Sequence, residues 1–144
     1  MAPRDLQPGI LGNEWFLSAL SILAERPWLL KRLFITPESN IQGVYRLRLC
    51  PAGRWNDFTI DDLIPCHPKG EPIFSQSVEG DLWVPLLEKA YAKHLGGYHR
   101  MRGGKVSQAL SDLTGCPTVS YYLEDEHVVK FIENGHFWTL LEHF

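Results

Sequence analysis

Between residues 13 and 25 the polar side chains fall on one narrow line. Glu14, Ser18, Ser21 and Glu25 recur at i, i+4, i+7 and i+11, while Trp15, Phe16, Leu17, Ala19, Leu20, Ile22, Leu23 and Ala24 cover the remaining faces. That spacing predicts a helix, and a helix so apolar must be buried on most sides. Gly12 frees the turn leading into it. Asn13 is placed as its N-cap, where a short polar side chain can accept from a free backbone N–H. Pro27 can open a second, short helix over residues 28–34, because its missing N–H is harmless in a first turn.

The period then changes. Tyr45, Leu47 and Leu49 alternate with Arg46 and Arg48, the two-residue repeat of a strand with one buried face. Pro51-Ala52-Gly53 supplies a turn, and residues 55–61 return with Phe58 and Ile60 facing inward. Pro65, Pro68, Gly70 and Pro72 make the next stretch irregular. Helical spacing resumes over residues 82–95, with Trp83, Leu87, Ala90 and Tyr91 as its core face. Asp81 is placed to cap this helix, and Pro85 is tolerated because it lies in or near the first turn. Gly96-Gly97 ends it. Val106, Ala109, Leu110 and Leu113 mark a shorter helix that stops at Gly115. Two further helices are expected near residues 126–133 and 137–144, split at Asn134-Gly135. Helices outnumber strands and are not interleaved with them, so the fold class is α+β. No repeat or linker divides the 144 residues, a length that suits one domain or one lobe of a larger one.

Composition narrows the function. A formal charge of -3 argues against a general nucleic-acid binder, and His99-Arg100-Met101-Arg102 reads as solvated surface. No apolar run is long enough for a membrane span, and the first residues lack the apolar stretch of a signal peptide. Cys50, Cys66 and Cys116 are odd in number and read as reduced thiols of a cytosolic compartment. Cys66-His67 together with Cys50 or Cys116 could suggest a metal. No Cys-x-x-Cys spacing supports that, and cysteine is often simply buried.

Four ordered blocks carry a family resemblance. Gly9-Ile10-Leu11-Gly12-Asn13-Glu14-Trp15-Phe16-Leu17-Ser18-Ala19-Leu20 resembles the active-site helix of calpain-type cysteine proteases, whose pattern there is Gln-Gly-x-Leu-Gly-(Asp/Asn)-Cys-Trp-(Phe/Leu)-Leu. Thr59-Ile60-Asp61-Asp62-Leu63-Ile64-Pro65 is similar to a calpain strand ending in Asp-Asp-x-Leu-Pro. Leu82-Trp83-Val84-Pro85-Leu86-Leu87-Glu88-Lys89-Ala90-Tyr91-Ala92-Lys93 resembles the family's Trp-x-x-x-Leu-Glu-Lys-Ala-Tyr-Ala-Lys helix. Gly97-Tyr98, Gly103-Gly104 and Leu113-Thr114-Gly115 fall where calpains have Gly-x-Tyr, Gly-Gly and (Leu/Phe)-Thr-Gly. The wording is closest to calpain-15-like and protozoan calpain-like proteins.

The resemblance implies a papain-like fold. The chain would be its N-terminal, mostly helical lobe, with a central buried helix and a small antiparallel sheet. The lobe with the catalytic His and Asn would be absent from residues 1–144. A cysteine protease needs a thiolate, which a helix N-terminus and a neighbouring imidazolium stabilise. The family's nucleophile falls one residue before Trp15, and Glu14 stands there. A helix N-terminus also favours a carboxylate, so Glu14 can occupy that place as a spectator anion. The family's oxyanion-hole Gln lands on Pro8, which has no side-chain amide to stabilise a tetrahedral oxyanion; Gln7 lies one step earlier. His136 follows a glycine, as the catalytic His of calpains does, but reads as surface beside a helix start. The family's calcium carboxylates in this lobe land on Asp5 and Asp81, at best a partial site.

The expected function is therefore that of a catalytically inactive calpain-like module, a pseudoprotease with a binding, scaffold or regulatory role towards protein partners. The alternative is the first lobe of an intracellular calcium-dependent cysteine endopeptidase whose remaining catalytic residues lie outside this chain. The resemblance implies cytoplasmic, in some cases cytoskeletal, placement.

Overall fold

The computed structural model describes residues 6–121. The expected tail helices, His136 and Asp5 lie outside them. In chain order the elements are β1 (Leu6–Gln7), α1 (Glu14–Ala24), α2 (Pro27–Lys31), β2 (Val44–Leu49), β3 (Asn56–Asp61), β4 (Gln76–Ser77), α3 (Trp83–Leu95) and α4 (Val106–Thr114). Helices and two small antiparallel sheets make the fold α+β, as the sequence pattern implies.

The apolar majority of α1 places it in the middle of the core. Phe16, Leu17, Ala19, Leu20, Leu23 and Ala24 are buried. Glu14, Ser18 and Glu25 are exposed and Ser21 is half-buried, so the polar stripe does face outward. One expectation fails: Ile22 is 53 % exposed, so the outward strip is wider than the polar residues alone indicate. The backbone of α1 runs beside α2 and α4. It meets α3 through rings, with Phe16 4.7 Å and Trp15 5.7 Å from Tyr91 between centroids.

β2 and β3 pair from Val44↔Asp61 to Leu49↔Asn56, and Tyr45, Leu47, Leu49 and Ile60 turn into the core. The connecting turn holds Ala52 at φ 53°, a left-handed conformation unusual for a residue with a side chain. Residues 33–36 lie along the free side of β2, where Arg48 N–H donates to the Leu33 carbonyl and Ile35 N–H to that of Arg46. The helix expected over residues 28–34 is shorter than its apolar residues suggest, because the chain leaves α2 to make these strand-like bonds.

On α3, Trp83, Leu87, Ala90 and Tyr91 are buried as expected, and so are Val84, Leu86, Glu88 and Ala92. Gly96 closes the helix in the left-handed conformation at φ 94°. Asp81 does not cap it. Leu82 is the N-cap, with helical angles and no side-chain cap bond, and Asp81 lies one residue too early. The second sheet, β1 with β4, pairs Leu6↔Ser77 and Gln7↔Gln76. No helix among the described residues is long and apolar enough to cross a membrane.

Candidate functional site

The turn leading into α1 is gripped on both sides. Gly9 lies against the backbone of Phe74, where a Cβ would stand 2.4 Å from the Phe74 carbonyl carbon. Ile10 N–H donates to the Ile73 carbonyl at 3.2 Å. Gly12 takes φ 71°, which a side chain would resist, and its carbonyl accepts from Gly103 N–H at 3.2 Å. Residues 73–77 and 101–104 thus form the two walls beside the N-terminus of α1. Trp15 fastens the second wall, since its Nε1 donates to the Met101 carbonyl at 2.8 Å.

Asn13 occupies the N-cap position, but its side chain makes no cap bond. It is 1 % exposed, and its Nδ2 donates to Glu88 Oε2 at 3.2 Å. The same oxygen accepts the backbone N–H of Ser75 at 3.1 Å, and Ser75 Oγ donates to Asn13 Oδ1 at 3.5 Å. One buried carboxylate on α3 therefore ties together the start of α1 and the 73–77 wall. Burial pushes the Glu88 carboxyl above its ordinary range, and the bonds from Ser75 and Asn13 pull it partly back. The sequence signal for Glu88 is its position: it shares a helical face with Val84, Tyr91 and Ala92, all buried.

The neighbouring motif residues reach other blocks. Lys89 Nζ donates to Asp61 Oδ1 at 2.5 Å and to the Leu63 carbonyl at 2.7 Å. Its ammonium holds the exposed Asp61 carboxyl below the usual range. The Tyr91 hydroxyl donates to buried Asp112 at 2.7 Å; burial first, and then that carboxylate, push the phenol far upward. The Leu-Glu-Lys-Ala-Tyr run of α3 is thus the hub to which the other three motif blocks attach.

Within this frame Glu14 is the first residue of α1 and is exposed. Among the described residues its carboxylate has no hydrogen-bond or ion-pair partner; Ser18 Oγ bonds the Glu14 backbone carbonyl instead. Pro8 is exposed, and the Gln7 side-chain carbonyl accepts from Gln76 Nε2 at 3.1 Å. His94 packs edge-on against Phe58 and Tyr91. At the N-terminus of α1 the described residues thus place the Glu14 carboxylate, without a side-chain hydrogen-bond or ion-pair partner among them.

The metal candidates do not assemble among the described residues. No group of three or more His, Cys, Asp or Glu is gathered there. Cys50 is buried, Cys66 is exposed with its thiol on the Ile64 carbonyl, and Cys116 is half-buried. Asp81 is exposed and supplies one carboxylate. Calcium takes six to eight oxygens, and Asp81 is not joined by two further acidic, His or Cys side chains among the described residues.

Comparison with known proteins agrees with the motif blocks. The sequence pattern described as calpain family cysteine protease matches residues 1–142. The calpain-type cysteine protease DEK1 of Zea mays is 40 % identical over 141 residues, 97 % of this chain and 6 % of that protein. DEK1 of Arabidopsis thaliana is 41 % identical over 143 residues, 99 % of this chain and 7 % of that protein. Calpain-12 of Homo sapiens is 42 % identical over 136 residues, 91 % of this chain and 19 % of that protein. The chain therefore spans a small part of the relatives it matches, and over that part it belongs to the calpain family of cysteine proteases.

Proposed function

We infer that this chain is a calpain-like module that binds protein without cleaving it, a pseudoprotease lobe with a scaffold or regulatory role in the cytoplasm. The observation that carries the reading is Glu14. It stands at the exposed N-terminus of α1, where the family resemblance places the nucleophilic cysteine. A carboxylate is stabilised there by the helix, by about 0.3–1 kcal/mol, but it is a poor nucleophile towards an amide. Pro8 has no side-chain amide to donate at the oxyanion position. The surrounding frame is retained, because the Asn13–Glu88–Ser75 bonds and the Trp15–Met101 bond still hold the walls. A shaped face without its reactive groups suits recognition rather than turnover. The calpain-15-like wording of the first motif is the finer placement that accompanies this reading.

The test is proteolysis of unfolded casein by the 144-residue chain, with and without calcium. No turnover is expected. Turnover that disappears in Glu14→Ala would overturn the reading, because it would make Glu14 a working group.

A further inference from the structure

The two walls beside the N-terminus of α1 differ in charge. Residues 73–77 carry none. The other wall belongs to a stretch, residues 89–111, with five Lys or Arg and no Asp or Glu, in a chain whose formal charge is -3. Two of the five are committed elsewhere: Lys89 bonds Asp61, and Lys93 Nζ donates to the Thr59 carbonyl at 2.6 Å. Arg100, Arg102 and Lys105 are exposed and have no ion pair or side-chain hydrogen bond among the described residues.

The close approaches of the glycines separate these three cations. Arg102 lies over the turn into α1, where a Cβ on Gly12 would meet its Cγ at 3.8 Å. Lys105 follows Gly104, the residue pressed on the Trp15 ring. Arg102 and Lys105 thus bracket the glycine pair that touches the start of α1. Arg100 turns the other way, with its Nε 3.8 Å from a Cβ on Gly96 at the end of α3. Ile10, on the same turn as Gly12, is 71 % exposed. The face therefore offers two unpaired cations beside one bare apolar side chain, with Glu14 as the acid of that turn.

We propose that this face binds an extended acidic protein segment, with an apolar side chain against Ile10 and carboxylates at Arg102 and Lys105. The inference rests on the reading of the Glu14 face as one that binds protein, and it adds the class of partner. Two free cations on a chain of net negative charge suit a short acidic segment rather than a phosphate polymer or an anionic bilayer, which the rest of the surface would repel. The experiment follows the fluorescence anisotropy of a capped, dye-labelled peptide of glutamate and leucine on adding the 144-residue chain, beside its glutamine and lysine counterparts, at low and physiological salt. The glutamate peptide should bind saturably, about tenfold tighter than the glutamine peptide, and should weaken as salt rises. Arg102→Gln and Lys105→Gln should each weaken it about 2–5-fold, the range of an exposed charge pair. Arg100→Gln should change it less, and Glu14→Gln should tighten it. All four positions are exposed, and circular dichroism checks that the variants fold. No saturable binding, equal affinity for the glutamate and glutamine peptides, an Arg100→Gln loss as large as that of Arg102→Gln, or tighter binding of a single-stranded oligonucleotide of equal charge would each overturn the proposal. Mass spectrometry of the same mixtures keeps the two readings apart: a cut peptide counts against the absence of cleavage, while the affinity ratios alone decide the charge of the partner.

Discussion

Gly104 lies flat against the indole of Trp15, so closely that a Cβ there would stand 2.4 Å from Cε2. Two motif blocks some ninety residues apart are therefore one contact. The indole is held beside that contact by the bond from Nε1 to the Met101 carbonyl, so it cannot slide away freely.

Gly104→Ala should consequently destabilise the chain by about 1–3 kcal/mol, the usual cost of overpacking. It should also loosen Trp15. Urea unfolding gives the first quantity and the near-ultraviolet circular dichroism of the tryptophans reports the second. A variant as stable as the parent, with an unchanged aromatic spectrum, would mean that the glycine is not required by the ring.

Glu88 makes a prediction with a definite sign. Its carboxyl is raised by burial, so the folded chain holds that proton more tightly than the unfolded chain does. The stability linked to this proton is fully present below the unfolded value and is lost as pH rises through the raised folded value. Glu88→Gln keeps an oxygen acceptor for Asn13 and Ser75 but cannot titrate. The stability of the parent relative to Glu88→Gln should therefore fall between acidic and neutral pH. Glu88→Ala, which strands the two buried donors, should cost about 1–3 kcal/mol at any pH. Urea titrations at several pH values decide it; a parent-to-Gln difference that grows with pH contradicts the assigned direction.

The elements that are legible in the sequence are those whose burial repeats locally. The apolar faces of α1 and α3 and the alternation of Tyr45, Leu47 and Leu49 announce themselves within a few turns or residues, and the structure places them as their periods require. The β1–β4 pair is different. Each strand has two residues, about seventy positions apart, too short to show a period. Glu88 is hidden for another reason. A charged residue on a helix reads as solvated, and only its partners Asn13 and Ser75, brought in from distant turns, make burial tolerable. Asn13 is legible in position but not in role, because cap geometry is local while its bond to Glu88 is not. Of the site, the sequence positions of Glu14 and Pro8 are readable from the family motif. The walls that flank them are not, since they depend on which loops fold against the turn.

Glu14→Cys should restore a thiol without restoring a protease. The helix N-terminus favours the thiolate, so alkylation by iodoacetamide should be faster than for the parent's own cysteines, of which Cys50 is buried, Cys116 half-buried and Cys66 exposed but not at a helix N-terminus. No described side chain is placed to act as its base. Alkylation rate and casein cleavage should be followed in the same preparation. Cleavage by this variant would refute the account of what is missing.

Calcium is expected to bind weakly, in roughly the millimolar range of weakly charged sites. Among the described residues Asp81 is the one carboxylate to which the family resemblance assigns this role, and the described residues do not complete a shell around it. Calorimetry should show a small signal that falls in Asp81→Asn. Micromolar binding that survives that substitution would place the ion elsewhere.

The last prediction concerns Leu20, which sits at the middle of α1 with no exposed surface. Phe16 and Leu23 lie beside it on the buried side of the same helix, and α2 and α4 run alongside. Burial of one such side chain is worth about 1.5–3 kcal/mol. Its removal also leaves a void that rigid neighbours cannot fill, so Leu20→Ala should cost about 2–5 kcal/mol. Ile22→Ala, two residues on but 53 % exposed, should cost less, because water already reaches half of the side chain. Urea unfolding of the two variants side by side is the measurement. Equal losses, or a Leu20→Ala loss well below the core range, would mean that α1 is not the centre of this lobe.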